Sequence, residues 1–173
     1  MVIDFEHHYI PAELGRRLGM DPDRKEAVRT GDASIHSQLF DLAAQIRDMD
    51  RAGIDVAVQS CILGWDMSLE NCQLLNDCTA KLHRDYPKRF VGLAHAPVLE
   101  AAGVREVERA VTQLGLTGVT ISSQVKGLSL DAKEFMPFYD LINQFGVPIF
   151  VHPALAPKGY DLMKDYMLPV ILT

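Results

Sequence analysis

Short apolar runs alternate with helix-period segments along the whole chain. Val2–Glu6, Val56–Ile62, Phe90–Val98, Gly118–Val125 and Pro148–His152 read as strands. Between them, Leu39, Leu42, Ile46, Met49 and Gly53 recur at spacings of three and four, which places them on one helix face. Val104, Val107, Val111 and Leu114 do the same, as do Phe135, Phe138, Ile142 and Phe145. A fourth helix over Ser68–Tyr86 sets Cys72, Leu75, Thr79 and Leu82 on one side, with Ser68 as its N-cap. Gly53, Gly115 and Gly146 stand where helices should stop, and Pro87 ends the helix before Phe90. The strands are apolar almost throughout rather than alternating. Strands of that kind are covered on both faces, as in a parallel sheet with crossover helices, so the fold class is α/β.

From the second strand onward the strands recur about every 30 residues, the unit of a (β/α)8 TIM barrel. A doubly wound open sheet has a similar interval, and spacing alone leaves both open. The first interval is longer and holds the polar stretch Asp21–Ser34, expected to be an inserted loop over one end of the barrel. Its charge run Asp21–Glu26 reads as solvated. A closed barrel needs eight strands and 173 residues hold about five, so residues 1–173 are expected to form a single, incomplete and apparently truncated N-terminal part of a barrel. Leu168–Thr173 falls in mid-pattern. Inward residues such as Val58, Leu93 and Phe150 should then lack partners. Association through open strand edges is expected, a homo-oligomer being one form of it.

Composition narrows the partners. The chain is 48% hydrophobic and 23% charged, with a formal net charge of −6 and no basic tract, so no nucleic-acid partner is expected. No apolar stretch approaches the roughly 20 residues of a membrane helix. No basic segment followed by an apolar run opens the chain, and the cytoplasm is the expected location. Cys61, Cys72 and Cys78 form no C-x-x-C pair and read as free, buried or half-buried thiols of a reduced compartment.

The chemistry gathers at strand ends. Side chains alternate along a strand, so Glu6 and His8 face one way and His7 the other, toward the helices. His152 closes the fifth strand, at the same C-terminal barrel face where such folds build active sites. One carboxylate and two imidazoles with a position left for water make an open catalytic site for a divalent metal such as zinc. A Glu-x-His pair alone is weak, and His152 alone also suits a hydrogen-bonded core histidine; their joint placement favours the metal. His95, Trp65 and Lys158 lie just past strands and are candidate substrate-binding residues, Trp65 by stacking on an aromatic ring. His95 is equally compatible with a packed histidine, and Lys158 with a solvated loop lysine. His36 and His83, on expected helices, read as surface residues.

Several segments carry a resemblance: Ile3-Asp4-x-Glu6-x-His8-x-x-Pro11, Arg89–Ala94, Glu106-x-x-Arg109-Ala110, Leu114-Gly115-x-x-Gly118-Val119 and Pro148–Pro153. In order, they resemble the amidohydrolase-related family that includes aminocarboxymuconate-semialdehyde decarboxylase and gamma-resorcylate decarboxylase. Most of that family opens with His-x-His. Glu6 stands here at the first histidine, a feature similar to gamma-resorcylate decarboxylase, and its anionic oxygen tolerates harder ions such as manganese as well as zinc. The resemblance implies two further groups, a sixth-strand histidine and an eighth-strand aspartate, which fall beyond residue 173. It implies a metal-dependent, non-oxidative decarboxylase of a small aromatic or unsaturated carboxylic acid. A metal-dependent hydrolase of an amide or lactone uses the same ligands, and an inactive truncated fragment is the third reading.

Overall fold

The computed structural model describes residues 1–23, 28–30, 33–35, 37–65 and 67–153, with 28–30 and 33–35 described by backbone alone. The elements in order are β1 (Ile3–His8), α1 (Ala12–Arg17), β2 (Val28–Thr30), β3 (Ala33–Ile35), α2 (Leu42–Ala52), β4 (Val56–Ser60), α3 (Leu69–Asp85), β5 (Phe90–Gly92), α4 (Ala101–Thr112), β6 (Val119–Ser122), β7 (Gln124–Val125), β8 (Leu128–Ser129), α5 (Met136–Phe145) and β9 (Ile149–His152).

Strand order decides what spacing could not. β1, β4 and β5 pair in parallel, and so do β6 and β9. The chain just past β5 joins the two groups, where Ala94 bridges Val119 in parallel and Thr120 N–H donates to the Ala94 carbonyl at 2.9 Å. Five parallel strands thus lie side by side in sequence order, without the reversal that marks a doubly wound sheet. Phe5 on β1 and Phe150 on β9 meet with ring centroids 5.7 Å apart, so the sheet curls its first and last strands toward each other. This is the α/β barrel architecture over five of its strands.

The helices cap and close as their sequences dictate. Asp41 accepts the Ala44 N–H at 2.8 Å and Ser68 the Asn71 N–H at 3.4 Å, each satisfying a donor left free in a first turn. Gly53 and Gly146 end α2 and α5 at φ 70° and 63°, a conformation costly for any residue with a Cβ. The buried stripes Cys72–Leu75–Thr79–Leu82 of α3, Val107–Ala110 of α4 and Phe138–Ile142 of α5 turn toward the sheet. Leu82 meets Ala57 and Phe90, the α4 and α5 stripes meet Ala94, Val119 and Ile121, and Leu75 packs with Ile10, Leu14 and Cys61. Leu39 lies in a separate helical turn, Ser37–Leu39, ahead of α2.

Some elements depart from the pattern. The third strand was expected to reach Val98 but its last pairing is at Ala94, two residues past β5, because the Asn76 side chain takes both backbone groups of His95: His95 N–H donates to Asn76 Oδ1 and Asn76 Nδ2 donates to the His95 carbonyl, both at 2.9 Å. The fourth stops at Ser122, and the chain folds into the β7–β8 hairpin about Lys126 and Gly127, at φ 50° and 76°. β1 runs on to His8 and carries a bulge: Asp4 pairs with Ala57 but His7 with Gln59. Val28–Thr30 and Ala33–Ile35, which overlap the expected loop 21–34 and pass its end by one residue, pair antiparallel. Val58 and Leu93 are buried, contrary to expectation, since their neighbours on both sides are present. Among the described residues, Val2, Ile3, Phe5 and Val151, on or beside the two outer strands, are exposed, as are Met1, Tyr86 and Met136 outside the strands. His83 is half-buried, its Nδ1 donating to the Phe90 carbonyl at 2.7 Å. Among the described residues no helix is long and apolar enough to cross a membrane. His36 lies outside them.

Three outcomes follow from this packing. Burial pushes the Cys61 and Cys72 thiols up to about 12 and Cys78 to about 11. At pH 8 the folded chain should therefore expose only half-buried Cys78 to Ellman's reagent, and slowly; three equally fast thiols would contradict the packing. Gly103→Ala would set a Cβ 2.1 Å from the Pro97 carbonyl oxygen, a clash expected to cost about 1–3 kcal/mol in urea unfolding. The apolar residues on β1 and β9 should drive association, read as a concentration-dependent sedimentation coefficient. A strict monomer across the concentration range would show those edges to be inert.

Candidate metal centre

The bulge in β1 sorts its polar side chains onto two faces. In an unbroken strand residues three apart point oppositely. Here the extra residue turns Asp4 and His7 to the same, helix-facing side, where Asp4 Oδ2 lies 2.9 Å from His7 Nδ1. His7 Nε2 lies 3.1 Å from Gln45 Oε1 on α2. Gln45 donates its amide hydrogens to the carbonyls of His8 (3.1 Å) and Gln38 (3.0 Å), which fixes that oxygen as the acceptor. His7 therefore has structural work on the outer face, as strand parity predicts.

Glu6 and His8 face the other way, into the mouth of the sheet. His152, the last residue of β9, meets them: Glu6 Oε1 is 3.0 Å from His152 Nε2, and the His8 and His152 ring centroids are 5.2 Å apart. One ligand atom from each of the three residues lies within 4.8 Å of the other two. Glu6 is exposed, His8 half-buried and His152 buried, a graded site open on one side.

The hydrogen bonds around the rings suit a cation between them. His152 Nδ1 donates to the carbonyl of Pro153 at 2.8 Å; a carbonyl only accepts, so this bond places a proton on Nδ1 and leaves Nε2 as the nitrogen turned to Glu6. His8 Nδ1 is 3.0 Å from the Ser60 hydroxyl, which occupies that edge of the ring and leaves Nε2 for the cluster. Burial holds the His8 imidazolium below its ordinary range, and the neighbouring His152 adds to this while Glu6 opposes it. Neutral imidazole is the form that binds a metal. A carboxylate oxygen and two imidazole nitrogens form a mixed donor set that suits zinc and also harder ions of the manganese type.

The remaining candidates separate. Trp65 stacks on His152, with centroids 3.9 Å apart and planes at 26°, and its indole N–H donates to Thr120 Oγ1 at 3.3 Å. His95 is 1% exposed and accepts the Cys61 N–H through Nε2 at 3.2 Å. Burial pushes it down to about 3, so the ring is neutral. It stands behind Trp65, with centroids 6.2 Å apart, as a packed histidine against the indole. Lys158 lies outside the described residues. Sequence reasoning missed Ser60, Thr120 and Asn76, since single hydroxyls and an amide carry no pattern. It treated Glu106 and Arg109 only as marks of a resemblance. Glu106 is 2% exposed and accepts from Asn76 at 2.7 Å and from Arg109 at 2.8 Å, bracing the segment that holds His95.

A cavity of about 220 Å3 opens beside Trp65, at the C-terminal ends of β4 and β6, lined also by Met67, Pro97, Leu99, Val125 and Lys126. Lys126 is paired with Glu100 at 2.8 Å. Other clefts, of about 420 and 220 Å3, lie around Phe40 and Asp41 and around Tyr9 and Tyr86, away from the ligand cluster.

Known proteins share this arrangement of elements. The chain is 32% identical over 143 residues to a 2-amino-3-carboxymuconate-6-semialdehyde decarboxylase of Dictyostelium discoideum, covering 78% of this chain and 40% of that protein. It is 26% identical to a gamma-resorcylate decarboxylase of a Polaromonas species, over 87% of this chain and 49% of the relative. A 5-carboxyvanillate decarboxylase of Novosphingobium aromaticivorans, solved with manganese and 4-hydroxy-3-methoxy-5-nitrobenzoic acid, superposes with a TM-score of 0.73 at 28% identity; the match covers 99% of this chain and 55% of that one. The chain thus spans about half the length of the relatives it matches. The family profile described as Amidohydrolase matches residues 3–173, nearly the whole sequence, and the chain belongs to that family.

Proposed function

We propose that Glu6, His8 and His152 hold one divalent metal ion, and that the protein of which they form the centre is a non-oxidative decarboxylase of a small aromatic or unsaturated carboxylic acid. The observation that carries this reading is the convergence of the three ligand atoms within 4.8 Å at the C-terminal ends of the first and fifth barrel strands. The relatives support the reaction class, being decarboxylases of carboxylic acids. Manganese in one of them, together with an anionic oxygen from Glu6, favours manganese over zinc here.

A bound divalent ion would supply Lewis-acid binding of substrate oxygens and stabilise charge as carbon dioxide leaves. The residues of this chain hold and orient. Glu6 contributes the negative charge that offsets the ion. Ser60 and the Pro153 carbonyl occupy the far edges of His8 and His152, fixing which nitrogen faces inward. Proton transfer to the carbon that loses carbon dioxide falls, by the family resemblance, to the eighth-strand aspartate, which is also a metal ligand there.

Manganese-loaded protein incubated with a panel of hydroxybenzoates should release carbon dioxide from at least one of them and should leave lactones intact. Lactone hydrolysis without carbon dioxide release would transfer the site to the hydrolases. In metal analysis after gel filtration, Glu6→Gln, His8→Ala and His152→Ala should each lower metal affinity by at least tenfold while His7→Ala retains it. Equal metal content in all four variants would remove the assignment.

A further inference from the structure

A histidine ring turns about a torsion with broad, shallow preferences, so its orientation is set by what touches it. The Pro153 carbonyl holds one edge of His152 at Nδ1. A single hydrogen bond acts as a hinge and still lets the ring plane swing. The ring face is where Trp65 sits, stacked at 3.9 Å.

Trp65 is itself held on several sides. Its N–H is anchored to Thr120, a 1% exposed residue of β6, the strand that pairs with β9. His8 meets the indole edge-on, with centroids 6.2 Å apart and planes at 77°. His95 backs it at 6.2 Å and is fixed in turn by Cys61 and Asn76. The turn that delivers Trp65 passes so close to His95 that a Cβ at Gly64 would lie 1.9 Å from the ring's Cδ2. Only glycine fits there, and the close approach brings Trp65 to the ligand cluster.

We infer that Trp65 is a positioning residue for His152: the flat indole face fixes the rotation of the imidazole so that Nε2 points at Glu6 and His8. The face that a substrate ring would need is taken up by a metal ligand, so this face of Trp65 is no substrate platform. The inference rests on the metal reading above and assigns the part that Trp65 plays in it.

The test uses the 173-residue chain and manganese alone. Free Mn2+ is followed by its electron paramagnetic resonance signal, and indole emission is followed in parallel, Trp65 being the single tryptophan of the sequence. Wild type should take up one ion, with emission changing in step. Trp65→Phe keeps a flat face and should bind within about threefold of wild type. Trp65→Leu fills the space without a flat face and should bind about 10–100-fold more weakly, the usual cost of losing support behind a metal ligand. In metal-free protein, proton NMR contacts from the His152 ring to Glu6 and Pro153 should show one fixed ring orientation in wild type and Trp65→Phe, and averaged contacts in Trp65→Leu. This readout does not depend on any ion being bound. Equal affinity in all three proteins, or a His152 ring orientation unchanged in Trp65→Leu, would overturn the positioning role. A wild-type chain that leaves the Mn2+ signal untouched would instead overturn the metal reading, with the NMR comparison still deciding the role of Trp65.

Discussion

The approach of Glu6 Oε1 to His152 Nε2, 3.0 Å across the mouth of the sheet, is the contact on which the rest of the site depends. It joins the first and last strands of a parallel sheet and exists only because that sheet curls. A flat doubly wound sheet of the same strands would hold their ends apart by several strand spacings of about 4.8 Å. Curvature comes from the helices packed on the outer face and from strand order that follows the sequence without reversal. The fold therefore produces the site, and the ligands need only stand at the right ends of their strands.

Local devices then refine what the fold delivers. The bulge in β1 lets one six-residue strand serve two faces. Asp4 and His7 tie it to α2 through Gln45, and Glu6 and His8 serve the cluster. Around the cluster each imidazole has one nitrogen engaged and one turned inward. Behind it, Arg109, Glu106, Asn76 and His95 run from the surface to the indole of Trp65 as a connected buried brace. Buried polar networks of this kind are costly if any member is unpaired. Here Glu106 accepts from both Asn76 and Arg109, and His95 is held through its backbone by Asn76 and through Nε2 by Cys61.

Much of this was legible in the sequence, for identifiable reasons. Near-continuous apolar strands betray a two-sided burial, and helix stripes at three- and four-residue spacing betray the face that packs. Parity along a strand separated His7 from Glu6 and His8, and although the bulge falls between Asp4 and His7, Glu6 and His8 still join the cluster while His7 faces α2. What could not be read depends on contacts between distant segments. The third strand looked longer than it is because its apolar run continues, while the side chain of Asn76 from α3 takes the ladder's place at His95. Val58 and Leu93 looked bereft because a barrel interior was imagined as needing every strand, whereas burial comes from near neighbours. Trp65 was legible as an aromatic near the site but not as the partner of a ligand. The glycine before it was the one local sign of a close approach.

The central claim is that three side chains from the two ends of this chain's sheet hold a single ion. Crystals grown with manganese, measured on both sides of its absorption edge, test it without reference to catalysis. The account predicts one anomalous peak bonded to Glu6, His8 Nε2 and His152 Nε2, at about 2.0–2.3 Å from each. A manganese peak held by other residues, or none with the ion in excess, would contradict it.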